Sequence, residues 1–136
     1  MSMHPYINMG HGYELDISDD NVFNRLAEIF SEQAKKYQDE DGNIADFTGF
    51  LYEISENYWD KYPGVNLVII EDDDFKSVLI VDQDSERELY DKYGSNNSGL
   101  IRPQKLYYYT TESLKKFADD LGLKKDPEIL IWTYWN

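Results

Sequence analysis

The sequence predicts an α+β domain, in which a mainly antiparallel sheet with a central hairpin at about 65–82 carries about three packed helices. Two runs of β-branched residues joined by a short link predict the hairpin. Two stretches with apolar residues at helical spacing predict helices before it. The chain has 136 residues, among them 12 tyrosines, 6 phenylalanines and 3 tryptophans. This length and aromatic content fit one packed core, so residues 1–136 are assigned as a single domain.

At the start of the chain, residues 13–17 alternate apolar and polar side chains, which favours a strand or an extended lead-in. Residues 1–12 are expected to be a flexible segment. Ser18 is the expected cap of a first helix over 19–37, because its hydroxyl and the acids that follow suit the free N–H groups of a helix start. A second helix is expected over 45–61, before a Pro-Gly pair.

The strongest strand signals lie at 65–70 and 75–81, which are rich in valine, leucine and isoleucine. Only the four acids at 71–74 separate them, and so short a link predicts a hairpin. Both strands are apolar almost throughout, so the sheet is expected to be covered on both faces or to lie centrally. Residues 82–93 are then expected to hold a short helix, and the Gly-Ser-Asn run at 94–99 a flexible loop.

The last third of the chain contains two further strand signals, at 106–110 and 129–135. Between them, Thr111 is the expected cap of a helix whose apolar residues recur at helical spacing. Gly122 is expected to end this helix, because glycine adopts the left-handed conformation common after a helix C-terminus.

The charge is strongly negative and unevenly distributed. The chain has 27 acidic and 13 basic residues, for a net charge of −14. Residues 1–99 carry 22 acids and 7 bases, whereas residues 100–136 carry 5 acids and 6 bases. Such a chain is repelled by nucleic acid and by anionic membranes, so the expected partner is a basic protein. A solvated surface that only keeps the protein soluble explains the same charge.

Several classes of function lack the residues they need. The absence of cysteine excludes disulfides, thiolate metal sites and cysteine nucleophiles. No serine-nucleophile, phosphate-loop or dinucleotide-binding motif is found, so no cofactor is expected and a non-enzymatic role is favoured. With no signal-peptide pattern and no membrane-spanning run of apolar residues, the expected location is the cytoplasm.

One acidic loop lies between the two predicted helices. The run at 39–44 resembles the core of an EF-hand calcium loop, and the resemblance covers about a dozen residues. It implies Asp39, Asp41 and the carbonyl of Asn43 as metal ligands and Gly42 as the turn. The chain departs from the family pattern because a tyrosine and a threonine occupy the first and last ligand positions. An acidic turn with a glycine at positive φ explains the same residues.

A second group of acids surrounds the hairpin and is the predicted partner-binding surface. Four adjacent carboxylates at the turn repel one another, and local folding alone does not require them. Alternating acids follow the second strand, where a group of three carboxylates also suits a divalent metal. A solvated edge that blocks aggregation is the alternative. The predicted partner-binding residues are Glu71, Asp72, Asp73, Asp74, Asp82, Asp84, Glu86, Glu88 and Tyr90.

From these observations the expected function is a small acidic protein that binds and neutralises a basic protein. Two such roles are an immunity protein against a nuclease toxin and a DNA mimic that inhibits a nucleic-acid-binding enzyme. A first alternative is an assembly subunit that forms a homodimer or larger oligomer through the aromatic strand at 129–135. A second is a divalent-metal-binding module or a metal-dependent hydrolase.

Overall fold

A computed structural model describes residues 5–57, 61–71, 76–90 and 111–135. It confirms an α+β domain with one antiparallel sheet. A 3₁₀ turn at Gln83–Ser85 separates the third and fourth strands. In chain order the elements are β1 Pro5–Leu15, α1 Asp20–Ile29, α2 Ser31–Lys36, α3 Phe47–Asn57, β2 Val65–Glu71, β3 Lys76–Asp82, β4 Arg87–Tyr90, α4 Glu112–Asp120 and β5 Glu128–Trp135.

Strand β1 is the centre of the sheet. On one side it pairs along most of its length with β5. On the other side its C-terminal half pairs with β3 and its N-terminal half with β4. Strand β2 pairs with β3, which confirms the predicted hairpin. All of these pairings are antiparallel. Strands β3 and β4 therefore run in the same direction, one after the other, along the same edge of β1, and the 3₁₀ turn joins them without reversing the chain.

The helices pack on one face of this sheet and form the main core. Inward-facing residues of β1 and β3, such as Tyr13 and Ile80, are buried against Leu26, Phe50 and Phe117 from three different helices. Alternation along a strand sends every second side chain to the same face. The β-branched runs that predicted strands therefore supply the floor of the core.

The opposite face of the sheet is also apolar, as expected for strands with few polar positions. Leu79, Val81 and Trp132 are buried there in a second, smaller cluster. Strands β2 and β5 come within 8 Å of each other between Cα atoms although neither pairs with the other in the sheet order. The sheet is therefore curled, and this curl helps to enclose the second cluster.

The N-terminal segment does not match the flexible segment expected at 1–12. Residues from Pro5 onward belong to β1 and pair with β5 as far as Gly12. Ile7, Asn8 and Met9 also pair with β4 on the other side, while residues 1–4 lie outside the described part. Gly10 leaves room for the indole of Trp132, since a Cβ there would lie 3.1 Å from its Cη2 atom. Gly10, a residue type common in loops, is thus required here by close packing inside a sheet.

The first predicted helix is divided in two. Phe30, with φ −108° and ψ 50°, interrupts it between α1 and α2. The cap is Asp19 and not Ser18, because the Asp19 carboxylate accepts the amide hydrogen of Asn21 at 2.9 Å. Ser18 instead donates its hydroxyl and amide to Asp16. The second predicted helix is confirmed over Phe47–Asn57 and begins two residues later than the expected start at 45, while residues 58–60 lie outside the described part.

The predicted short helix at 82–93 is wrong. As far as Tyr90 the chain forms the 3₁₀ turn and then β4, because Met9, Asn8 and Ile7 of β1 provide pairing partners for an extended strand; residues 91–93 lie outside the described part. Helix α4 is confirmed with Thr111 as its cap and with Gly122 at φ 73° after its end. Strand β5 confirms the last predicted strand.

The flexible loop expected at 94–99 and the strand expected at 106–110 lie outside the described residues. Within the part that is described, no helix is both long enough and apolar enough to cross a membrane.

Candidate functional site

The register of the central hairpin separates the predicted partner-binding residues into two groups. Glu71 pairs with Lys76 beside the turn, whereas Asp82 pairs with Val65 at the opposite end. Six residue steps along a strand span about 20 Å. Glu71 and the acids that follow β3 therefore lie at opposite ends of the hairpin. Asp72, Asp73 and Asp74 lie outside the described residues, and so do the side chains of Glu71 and Tyr90.

Asp82 does not belong to an exposed surface. Its side chain is buried, with the residue only 2% exposed. The carboxylate accepts a hydrogen bond from the Thr111 hydroxyl and a long one, at 3.4 Å, from the Thr111 amide. Burial raises the pKa of Asp82, and its hydrogen bonds with Thr111 offset part of that rise. The expected partner-binding role of Asp82 is corrected to a structural one, because a basic partner cannot reach a carboxylate enclosed in this way.

The three other acids of this segment form what we name the corner acids: Asp84, Glu86 and Glu88. Asp84 and Glu88 are exposed, on the 3₁₀ turn and on β4. Glu86 is half-buried and accepts a hydrogen bond from the Asn66 side-chain amide at 2.9 Å. Burial raises the pKa of Glu86, and the bond from Asn66 acts against that rise. Two of the three corner acids are therefore open to a partner in solution.

A second acidic group was missed from the sequence. Leu15 pairs with Val78, so β1 ends near the hairpin turn. The exposed acids in and after the end of β1 therefore lie at the same end of the sheet as that turn. We name them the hairpin-end acids: Glu14, Asp16, Asp19 and Asp20. They are far from the turn in sequence, and only the β1–β3 pairing brings them near it.

A cleft of about 510 Å³ opens at the hairpin end of the molecule. The Lys125 ammonium lies in it and donates a hydrogen bond to the Glu14 carbonyl oxygen at 3.1 Å. Hydrogen bonds from the Ser18 hydroxyl and amide hold the pKa of Asp16 below its usual range, so this carboxylate is ionised at neutral pH. The cleft thus presents both signs of charge. Its lining residues are Glu14, Leu15, Asp16, Ile17, Ser18, Ser77 and Lys125.

The loop that resembles an EF-hand is closed by its own hydrogen bonds. The Asp39 carboxylate accepts the amide hydrogens of Asp41 and Asn43 at 2.9 and 3.0 Å. The Asn43 carbonyl, which would be a ligand in the family pattern, accepts the Asp39 amide at 2.7 Å. Gly42 has φ 81°, as the acidic-turn interpretation expects. These hydrogen bonds hold the loop closed as a turn between α2 and α3, and they explain its shape without a bound metal ion.

The described residues contain no group of three histidine, aspartate or glutamate side chains placed to hold a metal ion. His11 lies on β1, where its amide donates to the Ser85 hydroxyl at 2.8 Å. Its ring atom Nδ1 is buried and has no hydrogen-bond partner in the described part of the chain. Ser85 in turn donates to the Asp82 carbonyl at 2.7 Å, so this serine joins two strands.

The aromatic strand β5 exposes aliphatic side chains as well as burying an aromatic one. Trp132 is buried in the second cluster, which places that tryptophan in the core. Ile129 and Ile131 are 44% and 61% exposed. They pair with His11 and Met9, so they lie on the same face of the sheet as the helices but beyond the main core.

These surfaces carry both charge and exposed apolar area. Comparison with protein-family models, with curated proteins and with solved structures finds no match to this chain.

Proposed function

We propose that this chain is a non-enzymatic protein that binds a basic protein partner through its exposed carboxylates. The partner would be a nuclease toxin, for which this chain is the immunity protein, or a nucleic-acid-binding enzyme that it inhibits as a DNA mimic. The observation that carries the proposal is the net charge of −14 combined with exposed acids at both ends of the central hairpin. Carboxylates arranged in this way accelerate encounter with a cationic surface through long-range attraction.

The fold offers a rigid frame for such a surface. The corner acids follow β3 through a turn that is anchored by the Ser85 hydroxyl. Of the hairpin-end acids, Glu14 lies in β1, where it pairs with Leu79 of β3, and the other three follow that strand. Charges held on paired strands keep their spacing, which reduces the entropy lost when a partner binds. Glu88 pairs with Asn8, which lies six residues before Glu14 on β1, so these two acids lie about 20 Å apart along the sheet. That span fits a protein or duplex-binding groove better than a small cation.

The test is a binding experiment with charge-matched variants. The native chain and three double variants serve as baits for a lysate of the producing cell, and elution is followed along a salt gradient. D84N/E88Q changes the corner acids, E14Q/D20N changes the hairpin end, and E28Q/E32Q changes two exposed acids on α1 and α2. Each variant removes two negative charges, so all three have the same net charge.

A basic partner held by the native chain and by E28Q/E32Q, but released at lower salt from one of the other variants, supports the proposal and identifies the acidic group used. Equal weakening by all three variants would mean that only net charge matters. Capture that ignores salt and all three variants would refute an electrostatic partner.

A second candidate is an assembly subunit, and the exposure of Ile129 and Ile131 favours it. Isolated exposed aliphatic residues are common on monomers, but two on one face of a strand form the beginning of a contact surface. Light scattering across a hundredfold range of concentration tests it. A concentration-dependent dimer that I131K abolishes supports this role, and a monomer at every concentration excludes it.

A further inference from the structure

The buried carboxylate of Asp82 joins the sheet to the start of helix α4. Thr111 is the cap of α4, and its hydroxyl oxygen accepts the Leu114 amide hydrogen at 3.3 Å. The same hydroxyl donates its own hydrogen to the Asp82 carboxylate. A hydroxyl has one hydrogen to donate. Asp82 therefore fixes the rotation of the hydroxyl, and so keeps the oxygen lone pairs directed at the first turn of α4.

This contact leaves the carboxylate poorly solvated. An ionised carboxylate has about four acceptor positions, and among the described residues two donors reach that of Asp82, one of them at 3.4 Å. Burying a charge with so few hydrogen bonds disfavours the ionised form. Opening of the α4 start would admit water to the carboxylate and relieve that cost. The closed contact therefore favours the protonated acid, and the open one favours the anion.

Within the described part of the chain, the groups that face Asp82 come from β1, the 3₁₀ turn and the cap of α4. His11 and Tyr13 face it from β1, Asp84 from the 3₁₀ turn, and Thr111 from α4. His11 favours the charged form of Asp82 and Asp84 disfavours it. Burial outweighs the favourable contacts, which leaves the pKa of Asp82 raised in the closed state.

We propose that Asp82 and Thr111 form a proton-controlled latch, which holds the start of α4 closed more tightly when the Asp82 carboxyl is protonated. Linkage requires that whichever conformation binds the proton more tightly gains population as the pH falls. The first turn of α4 is then open most often when Asp82 is ionised. For a single carboxyl, the opening constant changes by at most a factor of ten per pH unit. The change occurs between the ordinary pKa of aspartate, 3.8, and the higher value of the closed state.

The experiment is amide hydrogen exchange by NMR on the full chain between about pH 3.5 and pH 7.5, a range that begins below the ordinary pKa of aspartate. The informative amides are Leu114 and Lys115, which donate to Thr111. After correction for the intrinsic exchange rate, their protection in the native chain is expected to fall as pH rises. D82N keeps an oxygen acceptor for the hydroxyl and cannot ionise, so its protection at these amides is expected not to change with pH. The Asn21 amide, capped by the exposed Asp19, reports changes that are not specific to α4.

A pH dependence in D82N equal to that of the native chain would overturn the proposal, and so would protection that rises with pH. The carbon-13 shift of the Asp82 carboxyl in the native chain provides a second test that needs no variant. It is expected to titrate above the ordinary range of aspartate, together with the amide shifts of Thr111 and Leu114. Titration of Asp82 at or below that range would refute the latch even if D82N did not fold.

Discussion

Replacement of Gly12 by alanine tests the central position of β1 most directly. A Cβ on Gly12 would overlap the Ile80 carbonyl oxygen and lie 2.7 Å from the Val81 Cα. Both are backbone atoms of β3, so no side-chain movement can remove the overlap. Strands β1 and β3 would have to separate. Overpacking costs about 1–3 kcal/mol, and each ladder hydrogen bond lost adds about 1 kcal/mol. We expect G12A to reduce the free energy of unfolding by about 3 kcal/mol or more, a large part of the stability of a domain of this size.

Urea unfolding followed by circular dichroism measures this effect, and two other glycines calibrate it. A Cβ on Gly10 meets the ring of Trp132, which can shift, so G10A should cost about 1 kcal/mol. Gly42 has open space around its Cβ position but φ 81°, so G42A should cost roughly 1–2 kcal/mol from left-handed strain alone. If G12A lowers the urea midpoint of unfolding no more than G10A does, the inference that β1 approaches β3 closely at Gly12 is wrong.

Four further substitutions separate local contributions. D19A should destabilise the fold by about 1 kcal/mol through loss of the α1 cap, whereas S18A should change it by a few tenths; equal effects in thermal unfolding would argue against Asp19 as the cap. Y62F removes the hydroxyl that donates to Asp120 at 2.7 Å and should cost about 1 kcal/mol. Because burial raises the pKa of Tyr62, the native chain should also lose stability as pH rises above 10, and Y62F should lack that loss. Burial also raises the pKa of Asp82, so its contribution to stability is fully present below pH 3.8 and is lost as pH rises through its folded value; D82N should remove this slope in urea unfolding measured from pH 4.5 to 7.

Local sequence patterns were sufficient where one signal dominated. The β-branched runs at 65–70 and 75–81 predicted the hairpin, and its short link fixed the pairing direction. Thr111 and Gly122 marked both ends of α4 because capping chemistry depends on residues next to each other in the chain. Strand β5 was also predicted from a local signal, because its aromatic and aliphatic residues follow one another along the chain.

The patterns failed where distant segments decide the local structure. Gly10 and Gly12 are typical of loops, and only the indole of Trp132 and the backbone of β3 explain their place in a strand. Leu89, Tyr90 and Tyr93 have the spacing of one face of a helix, which is why a helix was predicted at 82–93. As far as Tyr90, however, β1 offers this stretch a pairing partner more than 70 residues away in sequence. Tertiary context overrides propensity in both cases.

The same limit applies to the acidic surface. Asp82, Asp84 and Glu86 are equivalent as a sequence pattern, yet Thr111 encloses the first, Asn66 binds the third, and Asp84 is exposed. The alternation of acids gave no means to distinguish them, because their environments come from α4 and β2. The hairpin-end acids were overlooked for the complementary reason, as nothing near Asp16 or Asp20 in the sequence points to the distant turn.

The position of β1 also affects how the chain folds during synthesis. Its partners in β5 are more than 100 residues further along the chain, as Pro5 pairs with Trp135 and Gly12 with Glu128. At roughly 5–20 residues per second, a ribosome delivers β5 several to about twenty seconds after β1. Throughout that interval the backbone N–H and C=O groups on the β5 side of β1 have no strand partner, and exposed strand edges of this kind promote association between nascent chains. The native contact order is correspondingly high, so folding should be slow for a domain of this size and yield should depend on chaperones or on low temperature.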